Sequence, residues 1–351
     1  MSRRIASSIL ACVLLAALFG VAAFFPVPYV TMSPGPTVDV LAETRGEEIV
    51  QVEGHRSYPT DGRLELTTVS VTSPGKELSL GQALSAWFDT TRAVYPRDVV
   101  YNPEETEEDV ATESTVSMVS SQDTAIAAAL TELGYDLTMS TEIFDVSDGG
   151  PAEGKLKARD RIVSVNGVEA TDAEAVVEAV QKSGVGASAE FVVRRSGDEQ
   201  AVAVKTEAAE DDPDRAVVGV TVGGGYDFPF NVSVNIDDNI GGPSAGLIFA
   251  LAVYDTLTPG ALTEGLEIAG TGTITADGVV GPIGGIQQKV VAAADTGAAV
   301  FLVPPDNCES ALGAAVDEEE IELVKATSLR GAVSSIRAYA KDENAELPRC
   351  E

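Results

Sequence analysis

Two stretches of the 351-residue chain place side chains capable of acyl-transfer chemistry at the starts of helices. In the first, Asn239-Ile-Gly-Gly-Pro-Ser-Ala-Gly-Leu-Ile-Phe-Ala-Leu-Ala-Val-Tyr-Asp255, glycines lead into Ser244 and then into an apolar run at helical spacing. A serine at a first helical turn lies among unpaired backbone N–H groups and at the positive end of the helix dipole. Those N–H groups suit a developing oxyanion. Gly241, Gly242 and Gly246 remove bulk, so another backbone can approach the hydroxyl. The second stretch, Gly281-Pro-Ile-Gly-Gly-Ile-Gln-Gln-Lys-Val-Val-Ala-Ala-Ala-Asp295, is another glycine turn opening a helix, with Lys289 about one turn in. Apolar surroundings disfavour an ammonium, and a neutral amine can take a proton from a serine. Taken singly, each has a plainer reading: Ser244 as an ordinary cap serine, Lys289 as a surface lysine.

Together the two stretches resemble the proteolytic domain of Lon-type serine peptidases. The matching pieces are Gly242-Pro-Ser-Ala-Gly246, Thr271-Gly-Thr-Ile-Thr275, Pro282-Ile-Gly-Gly285, Lys289 and Val303-Pro-Pro-Asp-Asn307, in that order, with Ser244 and Lys289 45 positions apart. The resemblance covers about residues 215–340. It implies Ser244 as nucleophile, Lys289 as base and Thr271 as the hydroxyl that orients the lysine, with Gly242 and Ala245 supporting the turn. It also implies a ring-like homo-oligomer. Two positions depart from the family: Gly241 stands where an aspartate is usual, and Thr273 where many members carry glutamate.

The elements that must hold these residues fill the rest of the chain, whose length allows two or three domains. A formal charge of −32 argues against nucleic acid as a partner, because phosphate would be repelled. Residues 1–30 read as a cytoplasmic stub and a transmembrane signal-anchor. Arg3 and Arg4 precede an uncharged run from Ile5 to Phe25, whose 21 residues span roughly 31 Å as a helix. The arginines place the N-terminus in the cytoplasm and the remainder outside. A cleaved signal peptide is the rival. Ile9-Leu-Ala-Cys12 resembles a lipidation box but lies inside the apolar run.

Residues 31–115 read as a β-rich segment with strands at 48–53 and 64–72 and a turn at Ser33-Pro-Gly-Pro36. Its Tyr29–Pro36 and Leu66–Val71 runs resemble the juxtamembrane part of PDZ-containing, membrane-anchored Lon-like proteases. His55 is the only histidine, which makes a zinc site improbable, and no metal or other cofactor is expected. The acidic run 103–113 reads as a solvated loop.

Residues 116–208 are expected to hold a PDZ-like domain, with a helix over 120–133. The resemblance rests on Gly150-Pro-Ala-Glu-Gly-Lys-Leu-Lys-Ala-Arg-Asp-Arg-Ile-Val-Ser-Val-Asn-Gly167, a helix over 172–182 and a strand over 189–194. PDZ domains add an extended peptide to a sheet edge beside a helix. Leu133, Gly134 and Tyr135 are the expected N–H donors to a peptide carboxylate, unless that glycine is simply a helix stop. Gly149-Gly-Pro-Ala-Glu-Gly154-Lys155 has the spacing of a phosphate loop, but Leu156 replaces the needed hydroxyl, so no ATP site is expected.

The acidic linker 207–214 leads into an expected proteolytic domain, 209–351. Its strands fall near 216–222, 230–236, 267–275 and 299–303, and its helices at 244–257, 285–297 and 328–341. The whole reads as α+β: a transmembrane helix, a β-rich segment, a PDZ-like domain and a Lon-type α/β domain. In an oxidising compartment Cys308 and Cys350 are expected to pair and tie down the tail. The expected function is a membrane-anchored, extracytoplasmic serine endopeptidase that works without ATP on flexible protein or peptide segments. The alternative is a tail-binding PDZ adaptor whose Lon-like part serves assembly alone.

Overall fold

The computed structural model describes residues 3–351 apart from 45, 103–104, 196, 210–211, 238–239 and 318–319, and leaves the side chains of 3, 4 and 6 undescribed. Asn239, two residues of the acidic run, two of the linker and the side chains of both N-terminal arginines thus lie outside the described residues.

In chain order the main elements begin with α1 (Arg3–Phe24), β1 (Tyr29–Asp39), β2 (Val50–Glu53), β3 (Arg63–Val71), α2 (Leu80–Phe88), β4 (Ala93–Pro96) and α3 (Glu107–Glu132). Then come β5 (Thr138–Val146), β6 (Arg161–Val165), α4 (Ala173–Ser183), β7 (Ser188–Arg195), β8 (Asp198–Lys205), β9 (Val220–Asp227) and β10 (Asn231–Val234). The last are α5 (Gly246–Leu257), β11 (Glu267–Gly270), α6 (Ile286–Asp295), β12 (Val300–Val303), β13 (Glu322–Lys325) and α7 (Leu329–Lys341).

α1 is apolar over Ser7–Phe24, has no buried residue in that window, and is long enough to cross a membrane. One mixed sheet, in the order β13-β12-β11-β3-β1-β4, frames the site. β13, β12, β11 and β3 run parallel, while β1 and β4 are antiparallel additions. Segment 31–115, expected as a unit of its own, therefore supplies three strands to the sheet of the 209–351 domain. Of these three strands the local pattern gave only β3, expected at 64–72; β1 and β4 were not expected as strands, and pairing between Arg63–Leu66 and Glu267–Gly270 spans some 200 positions that periodicity cannot see.

Ser33-Pro-Gly-Pro36 is not a turn but a bulge inside β1, where the register against β3 shifts between Pro34 and Thr37. Prolines without N–H groups fit a bulge, and Gly35 lies so close to Thr68 that a Cβ would meet its Oγ1. Nor is 103–113 all loop. Thr106 caps a helix that begins at Glu107, with Thr106 and Asp109 forming a reciprocal capping box and acidic residues in the first turn.

That helix, α3, buries Met118, Ala125, Ile126 and Ala128–Leu130 in the core of the proteolytic sheet, against α5, and not in the PDZ core. β9 goes the other way. Expected wholly within the proteolytic domain, it pairs along the whole of β5 and closes the PDZ sheet, ordered β8-β7-β6-β5-β9. That sheet has its own core of Ile143, Leu156, Ile162, Phe191, Val193 and Val204 under α4. Cys308 and Cys350 are joined by a disulfide that pins the C-terminal tail beside β13.

Candidate active site

Ser244 sits in a one-turn 3-10 helix, Pro243–Ala245, directly before α5. Gly242 enters that turn at φ +86°, a conformation that favours glycine, and Pro243 occupies a first helical position, where its missing N–H costs nothing. α5 is apolar all round and buried along nearly its full length, so the turn that carries Ser244 is fixed from behind. Ala245 is buried and Ser244 half-buried.

Lys289 comes from α6, which starts at Gly285 in the left-handed region, φ +69°. A Cβ there would meet Val69 Cγ1 at 2.7 Å and Met32 Sδ at 2.8 Å. The glycine thus brings α6 hard against β3 and β1. Lys289 is only 1% exposed, and burial lowers its pKa to about 7. Its Nζ lies 2.7 Å from Ser244 Oγ and 3.0 Å from Thr271 Oγ1. Thr271 Oγ1 in turn donates to the Ser244 carbonyl at 2.9 Å, and the Gly272 N–H donates to that carbonyl, also at 2.9 Å.

This wiring has a direction. Thr271 spends its one hydroxyl proton on the Ser244 carbonyl, so its oxygen must accept from Lys289. A neutral lysine then gives one N–H to Thr271 and keeps its lone pair for the Ser244 hydroxyl. The three residues singled out in sequence for nucleophile, base and orienting hydroxyl are brought together; Gly242 and Ala245 flank them.

The cleft in front of Ser244 encloses about 420 Å³. β11 stops at Gly270, opposite Leu66, so the flank of β3 from Thr67 to Val71 faces the cleft instead of another strand. α3 forms a further wall through Met118. It also holds the serine turn at two points: Ser114 O accepts from the Gly242 N–H at 3.2 Å, and Ser121 Oγ donates to the Pro243 carbonyl at 3.1 Å. Gly241, which departs from the usual aspartate, has no room for a side chain, since a Cβ would come within 1.7 Å of Ser114 Oγ. Sequence marked none of Met118, Ser114 or Ser121, and marked Thr67–Val71 only as a strand resembling a juxtamembrane segment, not as a wall of the site. The strand alternation and the helix spacing were visible, but not what each faces.

The expected carboxylate donors do not serve that role. The N–H groups of Leu133, Gly134 and Tyr135 donate to Ala129, Thr131 and Leu130 carbonyls, closing the end of α3. The strand that follows, β5, has β6 on one side and β9 on the other, so it offers no edge. The PDZ-sheet edge beside α4 is that of β9. His55 lies apart from Ser244, stacked on Phe230 at 4.3 Å between ring centres. Lys155 of the phosphate-loop look-alike turns back onto the Pro151 carbonyl at 3.1 Å.

Residues 238–336 match the Lon protease (S16) C-terminal proteolytic domain. The chain carries a Lon-type proteolytic domain. Residues 142–195 match the PDZ domain, so it carries that module as well. The Lon protease of Metamycoplasma arthritidis is 40% identical over 87 residues, covering 23% of this chain and 10% of that protein. The archaeal Lon protease of Archaeoglobus fulgidus is 28% identical over 111 residues, covering 30% of this chain and 17% of that protein. Among solved structures, the PDZ domain of the SdrC-like protein from Listeria innocua is covered to 92% by 24% of this chain, at 17% identity and a TM-score of 0.22. The chain spans only 8 to 10% of the length of the first curated relatives it matches. The Lon-type match takes in Ser244, Thr271 and Lys289.

Proposed function

We propose that the chain is a membrane-anchored serine endopeptidase whose Ser244 is the nucleophile and Lys289 the general base. The observation that carries the reading is the 2.7 Å approach of a buried lysine, its pKa lowered to about 7, to the serine hydroxyl. In the first step neutral Lys289 takes the Ser244 proton as Oγ attacks a peptide carbonyl. N–H groups of the Ser244–Ala245 turn, at the positive end of α5, hold the oxyanion. Lys289 then returns the proton to the departing amine. Water, deprotonated by the same amine, releases the acyl group from Ser244. Thr271 keeps the lysine aimed throughout.

Several features support the substrate class. The bare flank of β3 at Thr67–Val71 suits an extended segment laid beside it as an added strand. The free edge of β9, beside α4, suits capture of a second extended stretch by the PDZ module. α1 supports anchoring, and the preceding Arg3 and Arg4 support a cytoplasmic N-terminus with the catalytic domain outside. The reaction is taken to run without ATP, so the substrates are flexible or already unfolded segments.

The test uses the full chain in detergent with a disordered protein substrate. Ser244→Ala should cut cleavage by roughly 10⁴-fold or more, and Lys289→Ala by at least about 10²-fold. Undiminished cleavage by Ser244→Ala would reject the mechanism.

A further inference from the structure

α2 is built inside out for a helix on a water-facing surface. Its inward residues are the small Ala83 and Ala86, which let it lie close to the sheet. Its outward residues are large and apolar: Leu84, Trp87 and Phe88 are 46%, 70% and 83% exposed. Their spacing over one helical face makes a continuous patch. Trp87 is the only tryptophan in the chain, and solvent exposure of such a side chain in a cluster is unusual for a surface without a partner.

The position of α2 says what covers it. It is fastened to the residues that leave α1. The Leu80 N–H donates to the Phe25 carbonyl at 2.8 Å, and Pro26–Val27 pairs with Leu78–Ser79. A Cβ on Gly81 would lie 3.3 Å from the Ala22 carbonyl oxygen, so the two helices touch at the backbone. The bare apolar surface of α1 runs on through Phe24 and Phe25 to this patch, and Tyr29, Tyr95 and Val99 are exposed beyond it. A bilayer that receives α1 therefore meets α2 at its surface. Tryptophan and tyrosine are the residues favoured at that depth, and a helix with one apolar face lies along it.

We propose that the Leu84–Trp87–Phe88 face of α2 seats in the lipid headgroup region as a second membrane contact beside α1. The inference rests on reading α1 as a membrane span, not on the catalytic mechanism. Two attachments fix the tilt of the catalytic domain, where a single span would leave it free to swing. They also turn the β1–β4 edge of the sheet toward the bilayer. From Tyr29 to Met32, which pairs with Val71 of the cleft, is about 10 Å along the strand.

Trp87 is its own probe. The full chain is placed in phosphatidylcholine vesicles carrying bromines either high or deep in the acyl chains. Expected are blue-shifted emission, weak quenching by aqueous iodide, and quenching by shallow bromines at least twofold stronger than by deep ones. Leu84→Ser with Phe88→Ser should shift the emission back to the red and raise iodide quenching while the protein still floats with the vesicles. Red emission freely quenched by iodide in the unaltered chain would overturn the proposal. Protection from iodide without quenching by bromines would also overturn it, and would assign the patch to a second copy of the chain. Failure to float would remove the span itself, and this contact with it.

Discussion

At the residue scale the decisive quantity is the proton on Lys289. Burial alone lowers its pKa to about 7. The active form is the neutral amine, so activity is present above that value and lost below it as the ammonium forms. On the acid side kcat/KM should fall about tenfold per pH unit, levelling near pH 7 to 8. A profile measured with a fluorogenic peptide checks this, and an acid limb centred near 10, where an exposed lysine titrates, would remove Lys289 as base. Thr271→Val should lower kcat by roughly 10- to 100-fold and Thr271→Ser should restore most of it, because only the hydroxyl can relay between Lys289 and the Ser244 carbonyl. Both outcomes read on the same wiring, which needs threonine to accept from an amine that keeps its lone pair free.

The element that most changes the picture is α3. The serine and the lysine were visible as candidates because each stands on its own glycine turn and helix start, a local signal, and the resemblance to Lon-type peptidases singled them out. The capping box at Thr106 was local too, and was hidden only by the acidic residues around it. What α3 and β9 pack against was not legible. Periodicity shows that a segment buries one face but not which unit that face meets, and the expected boundaries at 116 and 209 put most of α3 with the PDZ-like unit and β9 with the proteolytic one, the reverse of their packing. The consequence is functional, since α3 grips the turn that carries Ser244. Ser121→Ala removes the hydrogen bond to the Pro243 carbonyl, a loss of about 1 kcal/mol. Expected is a roughly fivefold fall in kcat with KM unchanged, and recovery in Ser121→Thr. Unchanged kcat in Ser121→Ala would mean that α5 alone holds the turn.

At the scale of the whole molecule, α3 also touches the PDZ sheet, one residue pair beyond Ser121. Gln122 accepts from Arg159, and Asp123 faces Glu142 of β5. Asp123 and Glu142 are 2% and 1% exposed, and one oxygen of each is buried without a hydrogen bond among the described residues. Burial first, and the Asp123 carboxylate second, hold Glu142 well above the usual carboxylate range, while Arg159 and Arg161 pull weakly the other way. At neutral pH this favours the protonated form of Glu142 in the folded protein, beside the Asp123 carboxylate. The unfolded chain lacks that proton above about pH 4.5. A raised carboxyl contributes stability at low pH and loses it as pH climbs toward the folded value, up to about 1.4 kcal/mol per unit. Lys289, shifted the opposite way, adds stability between about pH 7 and 10 and so masks part of this slope. Glu142→Gln separates the two: its amide donates to Asp123 at every pH. Denaturant midpoints of the variant should match the parent near pH 5 and exceed it increasingly toward pH 9. Parallel curves across that range would mean that Glu142 is ionised at neutral pH, and that the contact between α3 and the PDZ sheet is held by the arginines instead.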